Sequence, residues 1–93
     1  MHTKPIGIEF DPDKAETNMR KHGVGFADAE QAMQDPHAAT MSDPDAVGEP
    51  RFLTMGMDAA GRVLVVVWTP RDDLARIISA RKASKGEANT YAQ

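Results

Sequence analysis

Apolar side chains recur along this chain at two different periods, and the switches between them mark out a series of short elements. Ile6, Ile8 and Phe10 stand at period two, which predicts a strand with those three on one face. Asp11-Pro12-Asp13 then starts a helix: Asp11 can cap the free amides, Pro12 is pre-set for the first helical position, and Asp13 suits the positive end of the dipole. That helix runs to Lys21 or His22, with Arg20 and Lys21 in its last turn and Gly23 as the left-handed residue beyond it. A second helix, Phe26 to Gln34, puts Phe26, Ala29, Ala32 and Met33 on one face and is stopped by Asp35-Pro36.

From His37 to Pro50 the composition is loop-like, with room for a short strand around Ala38 to Met41. Arg51 to Met57 reads as extended, and the turn Asp58-Ala59-Ala60-Gly61 folds it onto Arg62 to Thr69 as a hairpin. The run Val63 to Trp68 is apolar on both faces and β-branched, the mark of a central strand covered on two sides. A second turn, Pro70-Arg71-Asp72-Asp73, leads into a strand from Leu74 to Arg81. Ser84-Lys85-Gly86-Glu87 is a capping box, so a last helix spans Ser84 to Tyr91, weakened by Gly86 by up to ~1 kcal/mol. The order β-α-α-β-β-β-α predicts an α+β fold. A small antiparallel sheet, a three-strand meander plus the N-terminal strand, packs with two N-terminal helices and one C-terminal helix.

At 93 residues the chain supports one core, so residues 1–93 are read as a single domain. With 41% hydrophobic and 27% charged residues the composition is that of an ordinary globular domain, and the absence of cysteine fits a reducing compartment. The longest apolar run has six residues and Met1 to Lys4 is followed by no apolar stretch. Neither a membrane span nor a secretory signal is expected, and the cytoplasm is the expected location. The net charge of −3 hides an asymmetry. Residues 1–50 carry four cations against ten carboxylates. Residues 51–85 carry seven cations, five of them arginine, against Asp58, Asp72 and Asp73. Such a basic half fits phosphate or carboxylate recognition, because the guanidinium fork matches those anions.

The motifs exclude much. His2, His22 and His37 are scattered without partners at ligand spacing, so no metal site is expected, and no glycine-rich nucleotide loop or serine elbow implies a cofactor or a hydrolase triad. What remains is arginine on strands. Arg51, Arg76 and Arg81 on neighbouring strands could aim guanidinium groups at one spot, which suits the transition state formed when an RNA 2′-hydroxyl attacks the adjacent phosphate. The plainer reading makes each a solvated arginine or a partner of Glu49, Asp72 or Asp73. Parity also intervenes: Arg76 and Arg81 are five apart and face opposite sides unless a bulge lies between, so irregularity is expected near Ser79 to Lys82. Lys21-His22 is a candidate proton shuttle or a pair of capping cations, and Glu49 and Glu87 are the carboxylates placed to act as bases.

The string Glu9-Phe10-Asp11-Pro12-x-Lys14-x-x-x-Asn18-x-x-Lys21-His22-Gly23-Val24-x-Phe26-x-x-Ala29 resembles the opening of BrnT toxins. Arg76-Ile77-Ile78-Ser79-Ala80-Arg81-Lys82-Ala83 resembles their signature strand, and Glu87 and Tyr91 match the last helix. Phe10 where tryptophan is frequent, Met33 where phenylalanine is common, and Pro50 before Arg51 are departures, and Pro50 bears on where that strand begins. The resemblance implies a RelE-like fold and a type II toxin that cleaves RNA without a metal and so arrests translation. It implies a BrnA-like antitoxin as partner, with operator DNA reached only through that antitoxin. It also carries catalytic roles to Arg51, Arg76 and Arg81, with Lys21 or His22 assisting proton transfer. A second hypothesis is a non-catalytic subunit acting with the antitoxin as co-repressor. A third, a small-molecule binding domain, lacks any cofactor motif.

Overall fold

The computed structural model describes residues 5–92; His2 and the Met1 to Lys4 stretch read above for a signal lie outside it. Eight elements follow one another: β1 (Gly7–Glu9), α1 (Pro12–His22), α2 (Phe26–Met33), β2 (Ala39–Ser42), β3 (Phe52–Met57), β4 (Val63–Arg71), β5 (Leu74–Lys82) and α3 (Lys85–Tyr91). The strands form one sheet in the order β1-β5-β4-β3-β2. The expected α+β class and antiparallel meander are present. Its extension by β2, on β3, gives four antiparallel strands. The N-terminal strand joins in parallel, with Glu9 beside Arg76 of β5. No local signal announces that pairing, because both helices and three strands intervene between the two partners.

Helix ends follow their local chemistry. Asp11 accepts from the Asp13 amide at 2.9 Å, and Gly23 closes α1 at φ 68° with its amide on the Met19 carbonyl. Ser84 and Glu87 exchange both bonds of the capping box. Several strand boundaries differ by one or two residues from expectation, and two of these shifts lie beside the arginines. β3 begins at Phe52, after Pro50-Arg51, and β4 continues through Pro70 and Arg71, so the second turn shrinks to Asp72-Asp73 with Asp72 left-handed at φ 54°. Pro70 is tolerated because β3 pairs only as far as Trp68, leaving this part of β4 with one neighbour. The strand expected over Ile6 to Phe10 forms only at Gly7–Glu9, and its three period-two residues do not share one environment. Ile8 packs on the core, but Ile6 is exposed and Phe10 is half-exposed, meeting Phe26 edge-on at 5.5 Å.

The core lies between the helices and one sheet face: Val24, Phe26, Ala29 and Ala32 against Leu64, Val66, Trp68, Ala75, Ile77 and Ala80. Burying each larger member stabilises the fold by roughly 1.5–3 kcal/mol. Trp68 satisfies its indole through Thr54 Oγ1 at 2.8 Å. Val65 and Thr69 are buried on the opposite face, so β4 is the doubly covered strand expected. Gly56 lets α2 approach β3 closely, since a Cβ there would stand 2.0 Å from the Ala32 carbonyl oxygen. Asp58 closes the β3–β4 turn by accepting from the Ala60 and Arg62 amides and from Arg62 Nε at 2.8–3.0 Å. Burial pushes the Asp58 carboxyl up, but the bonds from the Arg62 amide and guanidinium outweigh it and hold the group below its usual value. No helix among the described residues is long and apolar enough to cross a membrane.

Candidate functional site

The irregularity that parity demands sits at Ile78, one residue ahead of the Ser79 to Lys82 stretch expected to hold it. Val67 lies opposite Ser79 and Trp68 opposite Ile77, so Ile78 is the extra residue of a bulge. Arg76 and Arg81 therefore face Thr69 and Val65, four residues apart on β4 and hence on one face. That is the face turned away from α1 and α2, whose core partners are the alternate residues Leu64, Val66 and Trp68. Arg51, just before β3, falls on the same side by alternation with Leu53, which lies opposite Val67. The Pro50 carbonyl beside it accepts from Thr69 Oγ1 at 2.6 Å. Arg51 and Arg76 thus flank Thr69 in one row, about 10 Å apart by strand spacing, and Arg81 stands roughly 13 Å further along the strands.

The three guanidinium groups share a face but each is tied to its own carboxylate. Arg51 Nε meets Asp43 at 2.7 Å, Arg76 approaches Glu9 at 3.8 Å, and Arg81 binds Glu87 through two bonds of 2.8 and 3.0 Å. The partners differ from the expected Glu49, Asp72 and Asp73; Glu49 is taken by Arg71. Arg81, together with the Ser84 amide, holds the Glu87 carboxyl down at about 2. Asp43 and Glu49 are also lowered, Asp43 first by the Asp45 amide and Glu49 first by Arg71. Glu49 and Glu87 are therefore held as charge acceptors, poorly suited to take a proton near neutrality.

Lys21 and His22 are not on the arginine face. They line a cleft of about 260 Å³ that runs along α1 beside the β5 bulge, with Asp13, Lys14, Thr17, Ile78 and Ser79. Ser79 connects the two regions: it faces the same way as Arg76 and Arg81 and also walls the cleft. Asn18 holds the arrangement together. Beyond the three residues covered by β1, β5 has no strand on that side, and the buried Asn18 amide takes a strand's place. It donates to the Ala80 and Val24 carbonyls at 2.8 and 2.9 Å and accepts from the Ala80 amide at 3.1 Å. Sequence reasoning assigned Lys14, Asn18 and Ser79 no role; their place in the BrnT-like strings was the only signal. Among the described residues no group of three or more His, Asp or Glu could hold a metal ion.

Residues 10–87 match the model of a family described as the ribonuclease toxin, BrnT, of type II toxin–antitoxin systems. The crystal structure of the Brucella abortus ribonuclease toxin, BrnT, is similar with a TM-score of 0.63 and 27% identity, over 89% of this chain and 100% of that one. No curated protein matches the chain.

Proposed function

Since the chain belongs to the BrnT family of ribonuclease toxins of type II toxin–antitoxin systems, we propose that it is a metal-independent endoribonuclease working on its arginine face. An RNA 2′-oxygen bonds to the adjacent phosphorus as the bond to the 5′-oxygen breaks, leaving a 2′,3′-cyclic phosphate and a 5′-hydroxyl. Arg51, Arg76 and Arg81 bind the phosphate and stabilise the charge that accumulates in the pentacoordinate transition state. Lys21 or His22 assists proton transfer at the Ser79 margin of β5, where the cleft they line opens onto the arginine face; there the imidazole can take the 2′-hydroxyl proton and return one to the leaving oxygen. The observation that carries this reading is the Ile78 bulge, which brings Arg76 and Arg81 to the side that Arg51 occupies. The phosphate then replaces Asp43, Glu9 and Glu87 as the anion each guanidinium meets.

A toxin of this class has an antitoxin partner. In this reading it is BrnA-like, covers the arginine face, and is the component that contacts operator DNA. Purified protein should cut RNA equally well with and without a chelator and leave intact an RNA carrying a 2′-deoxyribose at the cut site. Arg76→Ala should lower cleavage roughly 100-fold or more with little change in melting temperature, because its ion pair is loose and partly exposed. RNA left whole by the wild-type chain, or cut normally by Arg76→Ala and Arg81→Ala, would refute the assignment. The second reading, a co-repressor subunit without catalysis, draws on the carboxylates already seated on all three arginines. Protein that spares RNA yet tightens the antitoxin on operator DNA would establish it.

A further inference from the structure

All six arginines have a carboxylate within 4 Å, from Arg20 with Glu16 to Arg81 with Glu87. The four lysines among the described residues, Lys14, Lys21, Lys82 and Lys85, make no such pair with a described carboxylate. Two of these uncompensated cations, Lys14 and Lys21, stand one above the other on α1, seven residues and so about two turns apart, and line the same cleft with His22. Asp13 is the single carboxylate at its wall, at the far end of the helix from Lys21. The floor is the bulged part of β5, where Ser79 opens onto the arginine face.

From this we infer that the cleft is a second phosphate subsite for single-stranded RNA. It takes a backbone phosphate next to the scissile one through Lys14, Lys21 and Ser79, so that the strand bends around the free margin of β5. A phosphate arriving on the arginine face must displace a carboxylate, whereas one arriving in the cleft meets charge that nothing else has claimed. Lysine suits this duty, being a mobile point charge without the geometric demand of a guanidinium. The inference rests on the ribonuclease reading and adds Lys14 and Ser79 to the residues that meet RNA.

The test is the salt dependence of binding to a 2′-O-methyl oligoribonucleotide, which cannot undergo the 2′-attack, measured alongside cleavage of the unmodified RNA. Losing one phosphate contact lowers the slope of log affinity against log salt by about 0.7 for a single strand. Lys14→Ala should show that decrease, Lys14→Arg should restore the slope, and Arg20→Ala, which removes a cation from the same helix outside the cleft, should leave it unchanged. If wild type cuts RNA while Lys14→Ala keeps the full slope, or loses no more of it than Arg20→Ala does, the subsite is refuted and the nuclease reading stands. If the slope falls as expected but wild type leaves RNA whole, the nuclease reading falls and the subsite is supported. An oligonucleotide that does not bind at all overturns the subsite, and the nuclease reading falls with it only if wild type also leaves RNA whole.

Discussion

The Asn18 carboxamide makes three hydrogen bonds to backbone groups, one pair of them 62 residues away in the sequence. Alanine in its place leaves the Ala80 amide and carbonyl and the Val24 carbonyl without partners in a buried setting, and each such loss costs about 1–3 kcal/mol unless water enters. Asn18→Ala should therefore destabilise the protein by ~3 kcal/mol in urea unfolding, and a loss below about 1 kcal/mol would show that water takes over. Asn18→Asp should be no better, because a carboxylate can accept from the Ala80 amide but turns its other oxygen on two carbonyls. Residue signals of this kind are not legible in a sequence. Asp11, Gly23 and the Ser84–Glu87 box act on neighbours within four positions and can be read off directly. A residue whose partners are brought to it by the fold looks like any polar residue in the middle of a helix.

Among the elements, α2 and β3 meet most closely at Gly56. A methyl group there would collide with backbone, and a helix pinned by Phe26, Ala29 and Ala32 cannot retreat without opening the core. Gly56→Ala should cost 1–3 kcal/mol or more, read as a lower melting temperature; an unchanged melt would mean that α2 is free to shift. The same scale shows why the candidate site was half legible. That Arg76 and Arg81 could share a face only through a bulge followed from their spacing alone, and Ile78 supplies it. The separation of Lys21 and His22 from that face did not follow, because it depends on α1 lying along the margin of β5. Nor did the parallel docking of β1, which brings Glu9 to Arg76.

For the molecule as a whole, the acidic first half and basic second half are not two surfaces. Glu9, Asp28, Asp43 and Glu49 from the first half pair with Arg76, Arg62, Arg51 and Arg71 from the second. The fold interleaves the charges that the sequence separates. Asp35, Asp43, Glu49, Asp58 and Glu87 all titrate below their usual values in the folded state. Their contribution to stability is thus complete above the unfolded carboxylate range and is lost as pH falls through the folded values. For Glu87 that window runs from 4.5 down to about 2. Melting temperature should hold from pH 7 to 5 and drop steeply below 4. Glu87→Gln should flatten the part of the drop that Glu87 causes, about 1 kcal/mol once solvent screening of a partly exposed pair is allowed for; identical acid profiles for the two proteins would contradict this. At the margin of β5, the side chain of Asn18 also ends the sheet: it engages the outward amide and carbonyl of Ala80, the kind of edge groups through which one chain can pair with the backbone of another, so the residue that anchors α1 also blunts that edge.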